Sequence, residues 1–451
     1  MPPPTPARTA RTAAAGSPLP TTTREVSMTH DQLTIQTDRR LARALHHSRR
    51  YLLAEITAPA ATGPAAVRPP VNVAFVIDRS GSMASERKLT LAIEAVRGGI
   101  GRLTPTDRFS VVTFDDDVDV VVPGTLATPD ATEDALRRLD HVRPGGSTAL
   151  GAGWLRGAEQ VAAGMRPDGV DRTILLTDGQ ANVGIIDPAE LAHHAAELRR
   201  RGVATTTFGY GEGFDERLLT AMSEAGGGSF QFIGAPADIA PAIAREVGEL
   251  LEITARGVEL RVAGADGIRA QCLGSFATTP AGDGLSIILG DLVADQVIRT
   301  VIEVELPLGR EGRDVGVELV LTSRDGAMAG ARTIAWTFAD DRTNDTQARE
   351  RVVDRAVARA FADRALREVV ALNRDHRFRD AERLLTSVAR RIEGYAGDDR
   401  DLLAIAGELR READAWSVER MEIDRRVAFF ARESSLRSRA QFDGSAVRRS
   451  R

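Results

Sequence analysis

At 451 residues, with 43% apolar and 27% charged side chains, the chain has the composition of a globular protein of roughly two to four domains. Its net charge of −5 gives no electrostatic footprint for nucleic acid, and no apolar run approaches the roughly 20 residues of a membrane-spanning helix. A single cysteine, Cys272, excludes an intrachain disulfide framework and fits a reducing cytosol.

Residues 1–27 are rich in Pro, Ala, Thr and Arg and lack the apolar h-region of a secretory signal. Residues 1–30 are therefore expected to be a disordered extension, with Met28 as an alternative start, and the protein is expected to be cytoplasmic. Within 31–70, Leu33–Thr37 and Tyr51–Ile56 read as strands, followed by a Pro- and Ala-rich linker from 58.

Residues 71–252 alternate strand and helix patterns, the mark of an α/β fold with a mainly parallel sheet. Val73–Ile77 is apolar on both faces, as a central parallel strand should be. The next helix puts Leu89, Ile93, Val96 and Ile100 on one face. Phe109–Phe114 and Val118–Val122 read as two strands joined by the acidic turn Asp115-Asp116-Asp117. That turn lacks the glycine and terminal glutamate of a calcium loop, so it is expected to be a solvated hairpin turn. Thr173–Thr177 is the next buried strand, and Asp187-Pro188 starts a helix that Gly202 stops. His193 and His194 are adjacent on that helix and read as ordinary helix residues. Val203–Phe208, a helix over 215–224, Phe230–Ile233 and a closing helix over 236–251 complete the domain.

Residues 253–340 turn β-rich, with strands at Val258–Val262, Leu285–Leu289, Val297–Leu306, Val315–Thr322 and Arg332–Phe338. Together with 31–70 they are expected to form one antiparallel β-sandwich, into which 71–252 is inserted. Residues 345–435 switch to helical spacing, with three amphipathic helices around Val353–Leu372, Phe378–Ile392 and Leu402–Trp416. A basic tail, 436–451, is expected to be disordered. The fold class is thus α/β: a Rossmann-like, doubly wound, mainly parallel sheet in a flanking sandwich, followed by a C-terminal helical bundle.

The chemistry concentrates at strand ends. Asp78-Arg79-Ser80-Gly81-Ser82 follows the first buried strand, Thr148 closes Gly145-Gly146-Ser147-Thr148, and Asp178 follows the strand ending at Thr177. In an open α/β sheet with strand order 3-2-1-4-5-6, the strands before Asp78 and Asp178 are neighbours at the point of reversal, where ligands bind. Asp78, Ser80, Ser82, Thr148 and Asp178 offer hard oxygen ligands, which suit Mg²⁺ better than zinc or copper. Mn²⁺ and Ca²⁺ are the alternatives. The plain reading of the pentapeptide alone is an Asx-turn or helix cap. Gly145-Gly146 is expected to give a close, flexible loop, with no lysine after it to make a phosphate loop, and Gly209–Gly213 reads as a strand-to-helix turn.

The pattern D-x-S-x-S…T…D resembles the metal-ion-dependent adhesion site of von Willebrand factor type A domains. The resemblance covers about 71–252. The arrangement of flanking segments, with Gly290-Asp291-Leu292 before a strand and Val304-Glu305-Leu306-Pro307 ending one, is similar to a bacterial group related to inter-alpha-trypsin inhibitor heavy chains and calcium-activated chloride channel regulators. The resemblance implies that Ser80 and Ser82 bind the ion directly and that Asp78 and Asp178 act directly or through water. Thr148 would bind directly in one conformation and through water in another. It further implies that a Glu or Asp of a partner protein fills the open position. The partner would be a neighbour in an intracellular complex, such as an ATPase of the chelatase class.

The competing class is an enzyme, a Mg²⁺-dependent phosphoryl-transfer hydrolase of the haloacid dehalogenase type. That chemistry needs a second carboxylate two positions after Asp78, where this chain has Ser80, and no downstream lysine is identified for it. No G-x-S-x-G supports a serine hydrolase.

Overall fold

The computed structural model describes residues 32–61, 68–211, 213–264, 267–421, 424–426 and 428. The N-terminal extension, residues 62–67 of the linker, the last part of the helical region and the basic tail lie outside those residues. The chain opens with β1 (Leu33–Thr37), β2 (Leu41–Arg43) and β3 (Ser48–Thr57). At three residues, β2 is too short to show a period, and the sequence reading misses it.

The α/β domain runs β4 (Val71–Asp78), α1 (Lys88–Ile100), β5 (Arg108–Phe114), β6 (Val118–Leu126), α2 (Pro129–Leu139), α3 (Leu150–Ala162), β7 (Val170–Thr177), α4 (Pro188–Arg200), β8 (Val203–Tyr210), α5 (Glu216–Ala225), β9 (Gly227–Ile233) and α6 (Ile239–Leu250). Its sheet has the order β6-β5-β4-β7-β8-β9, and only the β5–β6 pair is antiparallel. The strands β4, β7 and β8 are buried along their whole length, which is why they read as continuous apolar runs. Alternate residues of β4 serve the two faces: Val73, Phe75 and Ile77 pack with α1 and α6, while Ala74 and Val76 pack with α3. The helices α2 and α3 are additional to those read from the sequence. One is strongly polar, and the other carries Gly151, Gly153 and Gly157, which lower helix propensity.

The chain then forms β10 (Ile253–Gly264), β11 (Arg269–Cys272), β12 (Ala277–Ala281), β13 (Gly284–Val293), β14 (Val297–Leu306), β15 (Asp314–Thr322) and β16 (Ala329–Ala339). One sheet is β1-β3-β14-β11 and the other β12-β13-β10-β15-β16-β2. The insertion is explicit in the pairing, because β3 lies antiparallel to β14 from Ser48↔Leu306 to Thr57↔Val297. The β2–β16 pair is parallel, a departure from the all-antiparallel expectation. Leu52, Ile56, Leu260, Ile302, Leu319 and Trp336 fill the space between the sheets. Gly290-Asp291-Leu292 lies at the end of β13, ahead of β14, where the β10–β13 register shifts and Gly290 takes φ +83°.

A short polar helix, α7 (Asp341–Thr346), precedes the expected three, α8 (Arg351–Arg374), α9 (Phe378–Ala396) and α10 (Arg400–Trp416). Ala362, Leu366, Val369, Leu385, Ile392, Leu402 and Leu409 pack between these three helices. The N-terminal turns of α8 also seal Leu53 and Val301 of the sandwich through Val353, Val357 and Ala360. At its other end α8 reaches the α/β domain, where Arg374 pairs with Glu216 at 2.7 Å.

Candidate metal centre

β4 and β7 are parallel neighbours with Ile77 opposite Leu176, so Asp78 and Asp178 emerge side by side at the reversal point of the sheet. Asp78 is 0% exposed. One carboxylate oxygen accepts from the Ser80 backbone N–H at 2.8 Å and the other from the Thr177 hydroxyl at 2.5 Å. Burial pushes the Asp78 carboxyl up to about 6, against the opposing pull of those hydrogen bonds. The Ser80 and Ser82 hydroxyls are 3.2 Å apart, and Ser82 donates to Asp178 Oδ1 at 2.6 Å.

Thr148 completes the set. A β-carbon built on Gly179 would lie 3.4 Å from the Thr148 hydroxyl, 3.7 Å from Asp78 Oδ2 and 3.8 Å from the Ser82 hydroxyl. Oxygens from three separate segments therefore lie within 4 Å of one point beside Gly179. All five residues singled out in the sequence meet here. The donor set, three hydroxyls and two carboxylates whose oxygens are already held by protein donors, fits a hard divalent cation. Among the described residues, no group of three or more His, Cys, Asp and Glu is arranged for a metal.

Two expectations about the surrounding loops are corrected. The acidic turn is not merely solvated: Asp115 is buried and bonded to Arg79 at 3.1 Å and to the Asp117 N–H at 2.9 Å. Burial disfavours its charge, but these bonds outweigh burial and hold its pKa below the ordinary carboxylate value. The glycine loop is pinned rather than flexible. The Gly145 N–H donates to Arg79 O at 2.7 Å, the Ser147 N–H to Asp116 Oδ1 at 2.8 Å, and the Thr148 N–H to Asn182 Oδ1 at 2.8 Å. A side chain at Gly145 or Gly146 would overlap the Asp115 or Asp116 carboxylate, so the glycines serve close approach.

Three contributors escape the sequence reading: Thr177, Asn182 and Lys88. The Lys88 ammonium lies 2.7 Å from Asp178 Oδ2, with its side chain 16% exposed. It is also the chain's only lysine, a signal that was visible in the sequence. Elsewhere, Gly209–Tyr210 ends β8 and Gly213 lies against the Asp178 carbonyl. His193 and His194 lie within α4. Cys272 packs in β11, where burial pushes its thiol up despite a contact to Thr300. No helix among the described residues is long and apolar enough to cross a membrane. The phosphoryl-transfer alternative finds no support, since no carboxylate stands at position 80, although Lys88 supplies at the site a downstream lysine that the sequence did not single out.

Residues 72–238 match the von Willebrand factor type A domain, so this stretch of the chain is a domain of that type. Protein YfbK of Escherichia coli (strain K12) is 29% identical over 195 residues, which is 43% of this chain and 34% of that protein. Inter-alpha-trypsin inhibitor heavy chain H1 of Mesocricetus auratus is 32% identical over 171 residues, 36% of this chain and 18% of its own length. The chain thus spans only about a third or less of these curated relatives. Among solved structures, a von Willebrand factor type A protein from Catenulispora acidiphila has a TM-score of 0.69 at 20% identity, covering 89% of this chain and 96% of that one. The ArnB paralog VWA2 from Sulfolobus acidocaldarius has a TM-score of 0.59 at 16% identity, over 90% and 97%. At such identities the likeness is one of fold.

Proposed function

We propose that this protein is a metal-dependent protein–protein interaction module, built to take an acidic side chain of a partner onto an ion held at Asp78, Ser80, Ser82, Thr148 and Asp178. Domains of this family generally serve as metal-dependent interaction modules. The observation that carries the reading is the convergence of the Thr148, Asp78 and Ser82 oxygens on the space beside Gly179. Ser80 and Ser82 are the direct donors, Thr148 binds directly in one conformation and through water in another, and Asp78 and Asp178 act directly or through water while orienting the hydroxyls. Mg²⁺ is the expected ion, and when bound it supplies an electrophilic position for a carboxylate. Ser82, Gly145, Gly146 and Ser147 are exposed, so the open side of the site faces outward and is accessible to another protein. On this reading the chain serves as a scaffold or subunit of a larger complex. An ATPase of the chelatase class is the partner type to examine first.

The test is an affinity capture from lysate of the source organism, with Mg²⁺ or EDTA, using the wild type and Asp178→Ala. A protein retained only by the wild type and only with Mg²⁺ supports the reading. Equal retention in all four arms overturns it.

A further inference from the structure

We propose that Lys88 is a built-in counter-charge of this site: its ammonium stays on Asp178 when an ion is bound, weakening ion uptake while strengthening capture of a partner's carboxylate. The inference rests on the metal-site reading above.

Of the 59 lysine and arginine residues in the chain, Lys88 alone is lysine. It stands at the first position of α1, whose first turn holds no acidic residue. A 3₁₀ helix over Gly81–Arg87 runs directly into α1, and Lys88 caps the C-terminal end of that helix with its N–H on Met83 O and Ser85 O. The preceding residue, Arg87, enters the helix through the left-handed region at φ +59°, an arrangement that non-glycine residues rarely adopt. From this helix start the ammonium reaches Asp178 Oδ2 at 2.7 Å and lies 5.3 Å from the Tyr210 ring centroid.

The two oxygens of Asp178 are divided. Oδ2 holds Lys88 and Oδ1 holds the Ser82 hydroxyl hydrogen. With its hydrogen on Asp178, the Ser82 oxygen has lone pairs for the Ser80 hydroxyl at 3.2 Å and for an ion, and Lys88 need not leave for that to happen. A guanidinium would behave differently. Its planar fork takes both oxygens of a carboxylate, which would displace Ser82 from Oδ1. This explains a compact ammonium in a chain that otherwise uses arginine.

The charges give the consequence. A dication, two carboxylates and one ammonium leave a single net positive charge, whereas without the ammonium they cancel. Lys88 therefore opposes the incoming cation and favours the incoming anion.

Mn²⁺ alone and acetate are sufficient probes, applied to the full chain. Mn²⁺ affinity is read by electron paramagnetic resonance, and acetate uptake by the fall in water-proton relaxation as acetate replaces water on bound Mn²⁺. Lys88→Gln is expected to bind Mn²⁺ about three- to tenfold more tightly and to need severalfold more acetate. Lys88→Arg is expected to bind Mn²⁺ more weakly than the wild type. Unchanged or weaker Mn²⁺ binding in Lys88→Gln overturns the role of Lys88, as a merely structural lysine would give. If the wild type takes up no Mn²⁺, or Asp178→Ala binds it equally well, the metal-site reading fails first and this proposal with it. A second measurement needs no variant. Labelling lysine with ¹⁵N at Nζ gives one ammonium signal, which is expected to persist, protected from exchange, at saturating Mg²⁺. Its loss on adding Mg²⁺ overturns the claim that the pair survives ion binding.

Discussion

The Ser82 hydroxyl donates to Asp178 Oδ1 at 2.6 Å across ninety-six positions of chain. The bond ties the turn after β4 to the turn after β7 and commits the Ser82 hydrogen, leaving its lone pairs as acceptors. Ser82→Ala removes both the bond and a donor oxygen. It is expected to change folding stability by only about 1 kcal/mol, because Ser82 is exposed, while lowering Mn²⁺ affinity at least about tenfold. Calorimetric titration and a melting curve separate the two effects. Unaltered Mn²⁺ affinity would remove Ser82 from the site.

The glycine loop makes a steric prediction. Gly145→Ala places a methyl group in the Asp115 carboxylate and is expected to cost about 1–3 kcal/mol, with a parallel loss of Mn²⁺ affinity as Thr148 shifts. Gly98, exposed on α1, has nothing within 4 Å of a built β-carbon. Gly98→Ala is therefore the control and should stabilise by roughly 0.5–1 kcal/mol through helix propensity. Denaturant midpoints decide both, and equal effects of the two substitutions would contradict the packing described.

A buried ion triad joins the α/β domain to the sandwich. Arg172 on β7, 4% exposed, pairs with Glu246 of α6 at 3.0 Å and with Asp291 of β13 at 2.8 Å. Arg172→Ala leaves two carboxylates without that partner and should destabilise the protein by about 3–5 kcal/mol. A loss under about 1 kcal/mol in urea denaturation would show that water screens the triad.

Asp171 gives the pH dependence. Burial pushes its carboxyl up to about 6, even though Asn72 donates to it at 2.7 Å. The unfolded value is about 3.9, so between roughly pH 4 and 6 the folded chain keeps a proton that the unfolded chain has lost. This group's stabilising contribution is present at low pH and is lost as pH rises through that window. Asp171→Asn, which keeps an acceptor for Asn72, should therefore gain about 1–3 kcal/mol relative to the wild type between about pH 4 and pH 7. The comparison is made in EDTA by urea denaturation at both pH values. A variant that loses ground with rising pH would reverse the sign of the argument.

Much of this was legible in the sequence because the informative residues sit where periodicity changes. The apolar runs before Asp78 and Asp178 mark central parallel strands, and their order follows from the alternation with helices. The pairing of 31–70 with 253–340 was also readable, since neither piece has enough strands alone. The strands β2, β11 and β12 were not: β2 and β11 have only three and four residues, and Ala277–Ala281 (ATTPA) shows no apolar alternation and contains a proline. Within the site, Asp78, Ser80, Ser82, Thr148 and Asp178 fall in a recognisable pattern, whereas Thr177, Asn182 and Lys88 act through tertiary hydrogen bonds that no local spacing encodes. The Asp115-Asp116 turn looked solvated because the glycines that cover it lie some thirty residues away.

The central claim is that an ion sits beside Gly179 among these five side chains. Crystals of the full chain grown with Mn²⁺, with anomalous diffraction recorded to locate the metal, test it most directly. The account predicts one strong anomalous peak within bonding distance, about 2.0–2.3 Å, of the Ser80 and Ser82 hydroxyls, lost in crystals of Asp178→Ala. A peak elsewhere, or none at this position with Mn²⁺ in excess, would contradict it.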